Sequence, residues 1–202
     1  MTADGDDGRV RCPWADSGGA HAAMYRDYHD YEWGRPLHGR DALFERMSLE
    51  AFQSGLSWLT ILRKREDFRR AFHGFDVDRV ARYTDRDVAR LMADAGIVRN
   101  RAKIDATIGN ARAAAELAID LSELLWSFAP PPGRPRPTSI ADIPAVTAES
   151  TAMAKELKRR GFRFVGPTTA YALMQATGMV DDHVQSCWVP ARGGSLHTDV
   201  PR

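Results

Sequence analysis

Residues 161–187 read GFRFVGPTTAYALMQATGMVDDHVQSC, and the fold turns on how this stretch is read. TAMAKELKRR before it and TTAYALMQATG within it have helical spacing, so FVGPTTA joins two helices through a short glycine turn. Gly166 is free to take a positive φ and let a phosphate oxygen reach bare backbone. Thr168 and Thr169 fall in the first turn of the second helix, where N–H groups lack partners and the helix dipole is positive. A helix–hairpin–helix of this kind holds a nucleic-acid backbone without reading its sequence. Further on, His183 and Cys187 stand four residues apart, one helical turn, so both can face one metal ion.

With 202 residues the chain is long enough for one domain, or two small lobes, around a proper core. A formal net charge of +1 does not announce a nucleic-acid partner, but the basic residues cluster. Arg63, Lys64, Arg65, Arg69 and Arg70 form one group, and Lys158, Arg159, Arg160 and Arg163 another. Either group alone reads as a solvated helix face; the second runs straight into the hairpin, which favours phosphate contact. No apolar run is long enough to span a bilayer, and MTADGDDGRV lacks the apolar centre of a secretory signal. The expectation is a cytoplasmic protein with reduced thiols. Two cysteines are too few for an iron–sulfur cubane held by four thiolates of one chain.

The rest of the chain is a succession of helical patterns. DALFERMSLEAFQSGL from Asp41 carries Leu43, Phe44, Met47 and Phe52 mainly along one side. SWLTILRKREDFRRAF follows, then TDRDVARLMADAG, which opens like a capping box with Asp87 in place of glutamate and stops at Gly96. NRAKIDATIGNARAAAEL from Asn100 is alanine-rich, and SELLWSF ends at APPPGRPRP (129–137), a polyproline-type linker with Gly133 in a flexible connection. Sustained strand alternation and internal repeats are absent from the sequence, so the fold class is mainly α. The boundaries expected are a disordered tail over 1–10, a two-lobed helical domain over 11–190 with the hairpin at 161–169, and a disordered tail over 191–202.

Zinc asks for four ligands in a tetrahedron. His183 and Cys187 supply two; Cys12 and His29, in YHDYEWG, could supply the others. Such a closed Cys2His2 site leaves no position for water and would staple the chain ends together. The same residues also read as buried small hydrophobes and core histidines, since spacing alone does not bring Cys12 to Cys187.

In order along the chain, RCPW (11–14), YHDYEWG (28–34), LEAFQSGLSWLTILRKRE (49–66), DAGIVRNRAKIDATIGNA (94–111) and KRRGFRFVGPTTAYALMQATGMVDDHV (158–184) resemble the DNA-3-methyladenine glycosylase I family, within the helix–hairpin–helix glycosylase superfamily. The resemblance covers roughly residues 10–190. It implies a helix–hairpin–helix glycosylase fold whose N- and C-terminal segments are joined by one structural Zn2+ held by Cys12, His29, His183 and Cys187. It also implies hydrolysis of the N-glycosidic bond to 3-methyladenine in alkylated duplex DNA, with the base flipped out of the helix. Glu50 matches the family's base-recognition glutamate, although without the resemblance it reads as a helix-surface glutamate. Tyr28 and Trp58 match its stacking aromatics, which suit a cationic base. Trp14, Tyr25 and Trp33 can line the same pocket or simply pack the core. Gln53, Gly55 and Leu56 match the segment that fills the gap left by the flipped nucleotide. Gly166, Thr168, Thr169 and Arg163 fall on the DNA-holding hairpin. A monomer is expected.

One position departs from the family. Val180-Asp181-Asp182-His183 stands where the pattern resembles Val-Asn-Asp-His, so Asp181 occupies the catalytic position of the wider superfamily. Asp181 is either a helix N-cap, a role asparagine and aspartate share, or an acid that stabilises an oxocarbenium-like transition state and widens the substrate range. Other readings remain open: a non-catalytic zinc-stapled DNA-binding module, a glycosylase for another lesion using Asp181, or a glycosylase–lyase. The last needs an unprotonated lysine beside the sugar, and none stands in the hairpin.

Overall fold

Glycine, proline and short polar side chains divide the chain into helices, most of whose first turns are capped by a side chain. In the computed structural model, which describes residues 7–191, these are α1 (Ala22–Tyr31), α2 (Arg40–Gln53), α3 (Trp58–Ala71), α4 (Val77–Ala81), α5 (Asp85–Ala93), α6 (Arg101–Ala115), α7 (Leu121–Trp126), α8 (Ala148–Arg159) and α9 (Pro167–Ala176). Short 3-10 turns join some of them, and the described residues contain no strand. Ser57, Asp76, Asn100, Asp120 and Thr147 each accept a backbone N–H of the following turn, and Thr84 with Asp87 forms the expected capping box. None of the described helices is long and apolar enough to cross a membrane.

α2 is the axle of the fold. It packs against α3, α6, α7 and α9, and its run from Met47 to Phe52 is buried without interruption. The one-sided stripe read from the sequence is therefore too narrow: Arg46, Ser48 and Glu50 are buried with Leu43, Phe44 and Phe52. Phe52, Phe68, Phe72, Phe75 and Tyr83 continue the core as a chain of ring contacts toward α4 and α5. α8 and α9 pack as a pair, and α9 lies against α2.

Several expectations change. YHDYEWG begins inside a helix: α1 has no long apolar stripe, yet its last turn buries Tyr28, His29 and Asp30. The 129–137 linker is tied down rather than loose. Arg136 donates to Asp181 (2.9 Å) and to the carbonyls of Val189 and Pro190, and Pro137 accepts from the Gln185 backbone. Residues 7–10, read as part of a loose tail, are also anchored: Val10 accepts from the Trp188 backbone (2.8 Å) and Arg9 stacks on the Trp188 ring (4.1 Å). The remainder of the expected tails, 1–6 and 192–202, lies outside the described residues.

Candidate active site and metal centre

The end of α1, the middle of α2 and the start of α3 converge on a cavity of about 340 Å³ lined by Trp14, Tyr25, Tyr28, Trp33, Glu50, Gln53 and Trp58. Ile140, Ile143, Ala172 and Gln175 close its other side. The rings form one continuous wall, with centroids 5.2 Å apart for Tyr28 and Trp58 and 5.1 Å for Trp14 with both Tyr25 and Trp33. Such a wall offers π faces to a planar ligand, above all a cationic one.

Glu50 supplies the charge. It is 5% exposed, and no protein group donates a hydrogen bond to it among the described residues. Burial pushes its pKa up to about 7, against the opposing pull of Arg46 one turn earlier. Arg46 is itself buried, donates to the Tyr28 hydroxyl (3.0 Å), and lies 5.3 and 5.5 Å from the Tyr28 and Trp58 ring centroids. Glu32, held by Arg65, sits 3.5 Å from Arg46 and offsets part of its charge. The Trp58 indole N–H is buried without a partner, which leaves a donor in the pocket wall. The cavity thus combines aromatic faces, one uncommitted carboxyl and one uncommitted donor, a few polar groups in an apolar cleft.

Cys12, His29, His183 and Cys187 meet behind this wall. All four are buried, and their ligand atoms lie within 4.8 Å of one another. The Cys12–His183, Cys187–His29 and Cys187–His183 sulfur–nitrogen distances are 3.6, 3.6 and 3.5 Å. Tetrahedral zinc, with bonds of about 2.3 Å to sulfur and 2.0 Å to nitrogen, places such atoms ~3.6 Å apart, so the set fits the ion. Each histidine is oriented through its other nitrogen: His29 Nδ1 meets Asp30 (2.7 Å) and His183 Nε2 meets the Trp33 carbonyl (3.2 Å). Burial would raise Asp30, but hydrogen bonds from His29, Arg11 and Trp188 hold it at about 2. The contact between the two thiols pushes Cys12 up, with burial adding to the rise, and holds Cys187 below the usual thiol range, with help from His183 and His29. His183 and Cys187 are not on a helix. They converge through a turn closed by the Cys187 N–H on the Val184 carbonyl (2.9 Å).

The absence of that helix also removes the N-cap reading of Asp181. Its carboxylate faces a second cavity, shared with Arg136, Arg35, His38 and Trp126, and accepts from Arg136 and the His183 backbone. It does not line the cavity that holds Glu50, so the geometry gives no support to a transition-state role.

Gln53 lines the cavity, while Gly55 and Leu56 turn the chain outside it. Gly55 has φ +80°, and Leu56, 41% exposed, points its apolar side chain to solvent. In the turn between α8 and α9 the left-handed residues are Gly161 and Phe164 (φ +89° and +56°), not Gly166. Gly166 is the N-cap of α9 with φ −66° and open space where a side chain would begin. Thr168 and Thr169 occupy the first turn of α9, and no side chain caps it. Arg163, in the turn before α9, is exposed.

The family model for methyladenine glycosylase matches residues 16–190. The chain is 45% identical over 181 residues to DNA-3-methyladenine glycosylase 1 of Escherichia coli (strain K12), covering 88% of this chain and 95% of that protein. It is 42% identical over 186 residues to the DNA-3-methyladenine glycosylase of Haemophilus influenzae, covering 88% and 96%. A crystal structure of 3-methyladenine DNA glycosylase I superposes with a TM-score of 0.85 at 42% identity, over 90% of this chain and all of that one. The chain belongs to the methyladenine glycosylase family. Within this family member, sequence reasoning passed over Gln175, Ile140, Ile143 and Ala172 in the pocket and Arg46 beneath it. Arg46 carried one signal, a charged side chain one turn from Glu50 on a helix dense in apolar residues.

Proposed function

We propose that this protein is a monofunctional base-excision-repair glycosylase that hydrolyses the N-glycosidic bond of 3-methyladenine in alkylated duplex DNA. The observation that carries this reading is the pairing of a buried Glu50 with a wall of aromatic rings in a cavity sized for one base. Methylation at N3 makes the purine cationic and a good leaving group. When the glycosidic bond breaks, its electron pair returns to the base and positive charge develops at the sugar carbon, where water adds. Tyr28, Trp58 and Trp14 stack on the flipped base, and the Glu50 carboxylate accepts from its amino group and favours positive charge nearby. Leu56, on the turn after Gln53, fills the space the base leaves in the duplex. Gly166, Thr168, Thr169 and Arg163, as a helix–hairpin–helix, hold the phosphate backbone at the α9 N-terminus. Zinc on Cys12, His29, His183 and Cys187 is structural: the closed ligand set leaves no position for water. A lyase step is disfavoured, because Lys64 and Lys103 are both committed to backbone carbonyls, Lys155 and Lys158 lie on α8, and none of the four lines the Glu50 cavity.

The test is release of free base from methylated duplex DNA, identified by mass. Wild type should release 3-methyladenine, and Glu50→Ala should lose ~100-fold or more in rate, the size of one preorganised electrostatic contact. A folded wild type that releases no base would overturn the reading.

A further inference from the structure

Two buried polar side chains on α6 take no part in the pocket or the metal centre. Lys103, 7% exposed, donates from Nζ to the carbonyls of Phe52 (2.9 Å) and Ser54 (2.6 Å). These carbonyls end α2, where the helix supplies no N–H donors for them and its dipole is negative. Asn110, 1% exposed, uses both ends of its amide on one residue: Nδ2 donates to the Arg163 carbonyl (3.0 Å) and Oδ1 accepts from the Arg163 N–H (2.8 Å). Lys103 and Asn110 are seven residues apart, on one face of α6 and about 10 Å apart along its axis. Thr107, buried between them, bonds back to the Lys103 carbonyl (3.0 Å).

The two segments held in this way are the turn carrying Gln53, Gly55 and Leu56 and the turn carrying Arg163 through Gly166. Among the described residues no hydrogen bond joins them directly. Ser54–Ser57 is exposed, so water can reach the Ser54 carbonyl, while the Phe52 carbonyl is buried. Burying an ammonium there is costly, and burial lowers the proton affinity of Lys103. What the buried lysine adds over water is a fixed position. We infer that Lys103 and Asn110 are positioning residues that make α6 a strut between the Leu56 turn and the α8–α9 turn, fixing the spacing at which duplex DNA is gripped on either side of the extruded base. This rests on the glycosylase reading above.

The experiment measures three quantities for Lys103→Met, Asn110→Leu and the double variant. These are affinity for a duplex carrying a tetrahydrofuran abasic analogue, release of 3-methyladenine from methylated duplex, and quenching of pocket tryptophans by free 3-methyladenine. Each single variant should bind duplex about tenfold more weakly, the worth of one well-placed hydrogen-bonded group. Quenching by the free base should be unchanged, which also certifies the fold. Because either break already frees one grip from the other, the double variant should fall well short of the ~100-fold loss that independent effects would multiply to. Lys103→Gln and Asn110→Ser, which keep a polar group, stand in where the apolar variants do not fold and should lose less affinity. Unchanged duplex affinity, a fully multiplicative double variant, or a parallel loss of free-base binding would each overturn the inference. Failure of wild type to release 3-methyladenine is a separate result that removes the glycosylase reading itself.

Discussion

Glu50 sets a conflict between stability and chemistry that a pH series exposes. Its folded-state pKa of about 7 lies above the ordinary 4.5 because it is buried. Between those values the folded protein holds more protons than the unfolded chain, so stability falls as pH rises from 4.5 through 7 and stays lower above. Glu50→Gln removes that penalty. We expect it to be more stable than wild type by up to about 3 kcal/mol at pH 8 and by little at pH 5, read from urea unfolding at both. Activity should run the other way: wild-type kcat/KM should drop as pH falls through 7 and the carboxylate is protonated, while the glutamine variant should be slow with no such limb. An equal stability difference at both pH values would show that ionised Glu50 carries no burial penalty. None of this could be read from LEAFQSGLSW, in which a single glutamate on a helix reads as a surface residue. What buries it is α2 being enclosed by α3, α6, α7 and α9, all of which come later in the chain, α9 more than a hundred residues on. Tyr28 and Trp58 carry the same lesson, since their contact at 5.2 Å joins α1 to α3.

The helices with a capping residue and an apolar stripe were legible, α5 with its Thr84–Asp87 box most clearly, because both signals are local. α1, the anchored linker at 129–137 and the turn from Asp181 to Cys187 were not, because each is fixed by partners far along the chain. Glycines show the difference well. Gly166 lies in the conspicuous motif, yet its φ of −66° suits any residue and its Cβ direction is open. Gly178, which drew no notice, has φ +68°, and a Cβ there would stand 2.6–2.7 Å from backbone atoms of Gly34, Arg35 and Pro36. That is where the end of α9 meets the segment after α1, through Gly34 N–H on Gln175 and Leu37 N–H on Thr177. Gly178→Ala should therefore destabilise by about 3 kcal/mol, combining the left-handed penalty with overpacking. Gly166→Ala should unfold like wild type but bind duplex DNA more weakly, as its methyl stands where a phosphate must approach. Urea midpoints and duplex affinities on the two variants check both halves; a weakened fold in Gly166→Ala would show that the turn needs its glycine for structure.

The Cys2His2 cluster links nearly the whole described chain, from Cys12 to Cys187, and it also touches the pocket wall. Trp14 follows Cys12 by two residues and packs on the His29 ring at 5.1 Å; Trp33 packs on His183 at 4.7 Å and gives it its carbonyl. A Cβ at Gly34 would crowd the cluster, lying 3.0 Å from His183 Nε2, and its φ of +74° also suits glycine. A metal bound at this cluster would therefore set the positions of two of the five rings that line the cavity as well as tie the chain ends. Removing it should have two consequences of different kinds. The melting temperature should fall by ~5–10 °C, since a loss of some 2–3 kcal/mol shifts a chain of this size by that much. Free 3-methyladenine should also bind more weakly at temperatures where the protein is still folded, because Trp14 and Trp33 lose their backing. Elemental analysis of the purified protein, followed by chelation and readdition of zinc, measures both. We expect about one zinc per chain, reversible loss of both properties on chelation, and the same double loss in Cys12→Ser. Protein that carries no metal and is indifferent to chelators would mean that the four side chains hold the ends together as a hydrogen-bonded core cluster instead. A lower melting temperature with undiminished base binding would separate the staple from the pocket and leave the ring contacts at His29 and His183 as packing alone.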